Sequence, residues 1–207
     1  MDAFESLVTM LLEREGFWVR SSFKVELTKE EKRQIGRHSS PRWELDLIAY
    51  KGATNELRVV ECKSYLDSRG VSIAAFDGKN PDFAARFKLF NEPKLQQVVF
   101  DRLVAQLVKR GSIAPDPKLS LCLVAGKIVT NTDRKKLKAH FAARGWLLWD
   151  DVWLSEALHS VAAGGYENEI AAVVAKLLLR GENGLTNSVY LTPCSTVPSL
   201  QLRLGVR

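Results

Sequence analysis

The chain is poor in the residues that build disulfide frameworks and thiolate metal sites. Its three cysteines, Cys62, Cys122 and Cys194, are odd in number and lack the paired spacing of zinc ligands. Cys62 and Cys122 sit in apolar runs and read as small core residues, which suits a reducing, cytoplasmic setting. His140 and His159 have no ligand-like spacing and read as surface or packing residues. No stretch is long and apolar enough to span a bilayer, so no membrane partner is expected. The opening Met1-Asp2-Ala3-Phe4-Glu5 lacks the basic region and apolar run of a secretory leader. There is no internal repeat.

What remains is an ordinary globular composition. The 207 residues fit one domain with at most a small appendage, and the chain can bury a real core. The formal net charge is +6, compatible with a polyanionic partner, although many basic proteins touch no nucleic acid.

Helix and strand signals alternate. Ala3–Glu15 carries an apolar helical stripe and ends at Gly16. Phe17–Leu27 reads as a strand, and Thr28-Lys29-Glu30-Glu31 has capping-box spacing. Gly36–Arg42 is a polar, basic loop. Trp43–Tyr50 and Glu56–Lys63 read as strands joined through Gly52–Asn55. Ser64–Asn91 is irregular, with a short helix near Asp82–Phe90. Pro93–Arg110 is a long helix, Leu119–Ala125 a doubly covered parallel strand, and Asp133–Arg144 a helix opened by Thr132. Trp146–Trp149 is a short strand, with Trp146, Trp149 and Trp153 filling core around it. Asp151–Ala162 and Tyr166–Arg180 are helices. This order predicts an α/β fold in which a mixed sheet, antiparallel in front and parallel behind, is flanked by helices. Residues 1–150 form the core, 151–181 pack on it or form an interface, and 182–207 read as a loosely held tail with an alternative strand at Ser188–Leu191.

The chemistry-bearing feature is Val59-Val60-Glu61-Cys62-Lys63, an apolar strand that ends in a carboxylate and an amine. Charges in such strands need partners, because an unpaired buried charge is costly. If Gly52–Asn55 is a four-residue loop, Lys51 pairs with Glu56 and counting back places Asp46 opposite Glu61. Opposed carboxylates repel unless a cation lies between them or one stays protonated. Glu61 and Lys63 share a face while Cys62 points to the other. Two acids and a lysine converging at strand ends suggest a site for a divalent metal and a phosphodiester.

Glu5 in an opening helix, Asp46 after a strand and Glu61-Cys62-Lys63 on the next strand resemble the PD-(D/E)XK phosphodiesterase superfamily. The predicted αβββαβ order, that of a restriction-endonuclease-like core, agrees. The opening Phe4-Glu5-Ser6-Leu7-Val8 through Gly16-Phe17-Trp18-Val19 is similar to the catalytic domain of Mrr-type restriction nucleases and related Holliday-junction resolvases. The resemblance covers about residues 1–150 and departs at Leu45, where the family often has a proline that is not a ligand.

The resemblance implies a metal-dependent endonuclease acting on DNA. Asp46, Glu61 and the Cys62 carbonyl would hold Mg²⁺ or Mn²⁺, and Lys63 would orient or deprotonate the attacking water or neutralise the phosphate. Glu5 would bind metal through water or contribute a second site. Gln96 or Gln97 could match a glutamine that some relatives carry. Lys32, Arg33, Arg37, His38 and Arg42 would meet the nucleic-acid backbone. A homodimer through the C-terminal helices, or a targeting partner protein, would supply selectivity.

Plainer readings stand beside these. Asp46 and Lys63 could form a cross-strand ion pair, and Glu5 could be an acid placed at a helix start by the dipole. The basic loop could be solvated, and Arg134, Lys135, Lys136 and Lys138 an exposed helix face. The competing function is a protein of the same fold that binds nucleic acid or a partner chain without turnover.

Overall fold

The computed structural model describes residues 2–38, 42–165 and 167–179. It begins with helix α1 (Ala3–Arg14), which a capping box starts: the Asp2 carboxylate accepts from the Glu5 backbone N–H at 2.8 Å, and Glu5 accepts from that of Asp2 at 3.2 Å. Strand β1 (Trp18–Val25) and the short helix α2 (Lys29–Gln34) follow, the latter capped by Thr28 and Glu31 as the spacing predicts. Then come β2 (Trp43–Lys51) and β3 (Glu56–Lys63), joined by a 3₁₀ turn over Gly52–Thr54 and a left-handed Asn55. Beyond β3 lie α3 (Pro81–Ala84), α4 (Lys88–Asn91), α5 (Pro93–Lys109), β4 (Lys118–Ala125), α6 (Asn131–Ala142), β5 (Leu147–Trp149), α7 (Asp151–Ala163) and α8 (Ile170–Leu179).

The five strands lie side by side in chain order. β1 and β3 pair antiparallel with β2, and β3–β4 and β4–β5 pair parallel, so β2 alone runs against the other four. The predicted mixed α/β sheet is therefore present. This polarity brings the C-terminal ends of β1, β3, β4 and β5 together with the start of β2. The segment carrying α2 leaves and re-enters the sheet at that same end.

Each sheet face has its own core. On one side Phe4, Val8, Leu11 and Leu12 of α1 pack with Leu47, Val60 and Cys122, joined by Leu154 and Val161 of α7 and Ala172 and Ala175 of α8. On the other, Leu95, Val99, Leu103 and Leu107 of α5 pack with Leu57, Val59, Leu121 and Phe141. The continuous apolar run of β4 serves both faces, as expected of a doubly covered parallel strand. Trp149 is buried and stacks on Trp153 at 4.5 Å, while Trp146 joins Phe90 and Phe141 on the far face.

Several boundaries differ from the sequence reading, with local reasons. Helix α6 is capped by Thr130, whose hydroxyl accepts from the Asp133 N–H at 3.0 Å, and Thr132 lies inside its first turn. The Thr130-x-x-Asp133 spacing decides this. The single short helix expected near Asp82–Phe90 is two, α3 being started by Asn80 and Pro81. Helix α8 begins at Ile170 rather than at residue 166. Cys194, the Ser188–Leu191 strand and the 182–207 tail lie outside the described residues. Among the described residues no helix is long and apolar enough to cross a membrane.

Candidate functional site

The hairpin register follows from its loop. Lys51 pairs with Glu56 and the ladder runs to Leu47–Val60, so continuing it by one step brings Asp46 level with Glu61. Strict alternation does not hold there. Leu45 packs in the core with Leu57 and Val59, whereas Leu47 packs on the opposite face with Val60. Residues two apart in a regular strand share a face, so the backbone of β2 rotates at Asp46. β1 turns at the same level: Val19 lies on the α1 side and Phe23 on the other, with Ser22 between them at φ 47°. Neither Ser22 nor Asp46 enters the paired register of these strands.

The rotation aims Asp46 at the backbone of β3 instead of straight across at the Glu61 side chain. Its Oδ2 accepts from the Cys62 N–H at 2.8 Å. The N–H and C=O of one residue in an extended strand point to the same neighbour. The Cys62 carbonyl therefore faces the β2 side, where Asp46 lies. Glu61 Oε1 accepts from Lys63 Nζ at 2.5 Å, and these side chains are only 19% and 22% exposed. The Glu44 side of the strand start is exposed.

Electrostatics join these groups to Glu5. Burial raises the Glu61 carboxyl above its usual range, and the negative charges of Asp46 and Glu5 add to this against the pull of Lys63. Glu5 is raised by burial and by Asp2 and Asp46, although its hydrogen bond from the Asp2 N–H works the other way. Burial works to lower Lys63, but contact with Glu61 and the field of Asp46 hold it above its usual value. The Cys62 thiol is pushed up by burial and by Asp46 and Glu5, so it is no nucleophile. Burial is the largest cause for Glu61, Glu5 and Cys62 alike, and the repulsion among the carboxylates adds to it. A buried group of carboxylates holds protons tightly and, by the same field, attracts cations. With its pKa raised, Lys63 is a charged donor that can position water or a phosphate oxygen and is not poised as a base.

Comparisons of the chain with known protein families, with characterised proteins and with solved structures return no match. Among the described residues no group of three or more His, Cys, Asp or Glu side chains is arranged to hold a metal. The donors at this point are two carboxylates, one backbone carbonyl and the more remote Glu5. An all-oxygen set with few protein ligands fits a hard ion that keeps its waters, as Mg²⁺ does, and does not fit zinc.

The other predicted site residues are distributed as follows. Lys32 and Arg33 lie on α2 and His38 and Arg42 flank the loop into β2, with Arg33, His38 and Arg42 exposed at the site end of the sheet. Arg37 is committed elsewhere: both Glu92 oxygens accept from it at 3.2 Å, and it lies over the Trp43 ring. Gln96 donates to the Leu89 carbonyl and Gln97 to Asp101, so both amides are engaged on and around α5. Arg134 and Lys138 are not a free basic face. Arg134 binds Asp150 at 2.7 Å and Asp151 at 2.9 Å, and Lys138 lies 3.3 Å from Asp150.

Sequence reading missed a cleft beside Lys63. It has a volume of about 250 Å³ and is lined by Tyr65, Arg69, Phe83, Arg86 and Phe87 among others. Lys63 Nζ is 5.9 Å from the Phe87 ring centroid. The available signal was Phe83-Ala84-Ala85-Arg86-Phe87, which interleaves aromatic and basic residues within the short helix expected near Asp82–Phe90.

Proposed function

We propose that the protein is a divalent-metal-dependent endonuclease that hydrolyses phosphodiester bonds, in DNA, with a restriction-endonuclease-like core of the PD-(D/E)XK kind. The observation that carries this reading is the convergence at the end of β2 and β3 of the Asp46 carboxylate, the Cys62 backbone and the Glu61–Lys63 pair. The αβββαβ order and the polarity of the sheet support it.

In this reading Asp46, Glu61 and the Cys62 carbonyl hold Mg²⁺ or Mn²⁺, which when bound supplies Lewis-acid stabilisation of phosphoryl charge and an acidified water. Lys63 orients the water or balances the phosphate. Glu61 would be shared between the ion and Lys63, whose ammonium would face the substrate phosphate. Glu5 acts on the ion through the field or through water. Lys32, Arg33, His38 and Arg42 lie at the end of the sheet where a DNA backbone would pass, and Arg37 holds that segment to Trp43. DNA is favoured over RNA because the nucleases that the sequence resembles act mainly on DNA. A second copy would pack on the exposed Ile170, Leu177 and Leu178 of α8.

The test is nicking of supercoiled plasmid with Mg²⁺, against an EDTA control. Lys63→Ala and Asp46→Ala are each expected to lose about 10²–10³-fold in rate, the effect of removing one group that stabilises developing charge, while DNA binding persists. A second reading draws on the Glu61–Lys63 and Asp46–Cys62 contacts, which close the cluster on itself. In that reading the protein binds nucleic acid without turnover. Equal nicking by wild type and Lys63→Ala, or none by wild type, decides for it.

A further inference from the structure

We infer that the cleft beside Lys63 is a receptor for a single unpaired nucleobase together with its phosphate. This rests on the proposed nucleic-acid reading of the neighbouring cluster and extends it from phosphodiester to substrate form.

The walls have the right chemistry. Phe83 is 37% exposed, Phe87 is buried, and Tyr65, two residues after Lys63, lines the same cleft. Aromatic faces stack on any base, whatever its sequence. Arg69 and Arg86 line the same cleft, are exposed, and have no acidic partner among the described residues. A guanidinium unspent on carboxylate suits a phosphate, which it meets through two parallel hydrogen bonds. This is unlike Arg37, Arg58, Arg102 and Arg134, each paired with an acid.

The cleft is also built rather than incidental. The segment after β3 is pinned to the loop after β4: Val71 N–H donates to the Lys127 carbonyl at 2.9 Å, Val129 N–H to Val71 at 3.0 Å, and Gly126 N–H to Lys63 at 2.9 Å. Gly126 permits this approach, since a Cβ there would lie 2.2 Å from the Ser64 carbonyl oxygen. Gly70 does the same at φ +97°, where a Cβ would lie 2.8 Å from the Lys127 oxygen. The Asp133 carboxylate then fixes the floor turn by accepting from Ser72 Oγ at 2.9 Å and Ile73 N–H at 3.0 Å. A preformed cleft of about 250 Å³ has room for one base and not for a base pair. Extruding a base from intact duplex costs unstacking energy, least where the base is already unpaired. The cleft therefore directs the cluster toward a phosphate next to a flap, gap or other single-stranded nucleotide.

The experiment reads binding alone, in EDTA, with a short single-stranded oligonucleotide carrying 2-aminopurine, whose fluorescence is quenched by stacking. Wild type is expected to quench it saturably, and Phe83→Ala and Arg86→Glu each to weaken that binding about tenfold, the scale of one lost base–aromatic stack or one lost phosphate contact. Both positions are exposed, so the variants fold. Absence of quenching by wild type, or equal quenching by wild type and both variants, overturns the proposal. Because no metal or turnover enters, a negative result here leaves the nicking test untouched, and failure of nicking leaves this result standing.

Discussion

Two carboxylate clusters in this molecule are built from the same residue types and behave in opposite ways. At the start of α7, Asp150 is 1% exposed, yet its carboxyl lies below the usual range: burial pushes it up, and hydrogen bonds from Arg134, the Trp153 N–H and Lys138 outweigh burial. Two acids there meet two cations, and Arg134 is itself raised, chiefly by Asp151. At the end of β2 and β3, Glu61 is shifted up: burial is the largest cause, and Asp46 and Glu5 add to it against the pull of Lys63. What separates them is how burial is offset: two cations and a backbone N–H outweigh it at Asp150, whereas Lys63 does not outweigh it at Glu61.

The sharpest way to break the comparison is to unbalance the balanced cluster. Arg134→Ala leaves Asp150 buried with the Trp153 N–H and the exposed Lys138 as its remaining partners, and is expected to cost about 3 kcal/mol in urea unfolding, the lower end for breaking a buried pair. Lys63→Ala removes the lone cation from a cluster already adapted to repulsion at the sheet's open end, and is expected to cost clearly less. If the two substitutions destabilise equally, the second cluster is a structural network as well.

The two clusters were unequally legible in the sequence. The hairpin at Asp46 and Glu61 could be read because loop chemistry fixes register: Gly52 and Asn55 admit a four-residue connection, and the count to Lys51–Glu56 follows. Counting could not reveal the rotation at Asp46, which needs Ser22 of a neighbouring strand to turn with it. The balanced cluster was invisible because Arg134 and Asp150 are brought together by the packing of α6 against β5 and α7, and a run of Arg134, Lys135, Lys136 and Lys138 has the pattern of a solvated face. The overall α/β order was readable because the long helices α1, α5 and α6 carry caps or stops and the strands carry apolar runs. The cleft was not, because its walls come from short helices and loops that only the pairing of residues after β3 with the loop after β4 brings together.

A gentler break tests divalent-ion uptake directly. Mg²⁺ or Mn²⁺ should raise the thermal midpoint without any nucleic acid, a stabilisation of about 2.7 kcal/mol when the ion stands at a hundred times its dissociation constant. Asp46→Asn should abolish the shift while keeping an oxygen to accept from the Cys62 N–H, so the hairpin survives. Arg134→Ala should retain it. A shift that persists in Asp46→Asn places the ion elsewhere.

The smallest effect distinguishes what Glu5 does. Glu61 takes up a cation only when ionised, and its carboxyl lies above the usual range, so divalent uptake should fall with falling pH earlier than an ordinary glutamate would dictate. Glu61's own contribution to folding has the complementary sign: it is fully present at low pH and lost as pH rises through the raised value, which is where a bound cation relieves most repulsion. Glu5→Gln keeps the helix start intact, because glutamine serves equally at that position of a capping box. It removes one of the charges that push Glu61 up. If Glu5 acts only through the field, calorimetric titration with Mn²⁺ across pH should show the acid limb moving to lower pH while affinity at neutral pH changes little. If Glu5 is itself a ligand, the limb stays and affinity drops at every pH. The first outcome makes the third acid part of the tuning of the site, and the second makes it part of the coordination.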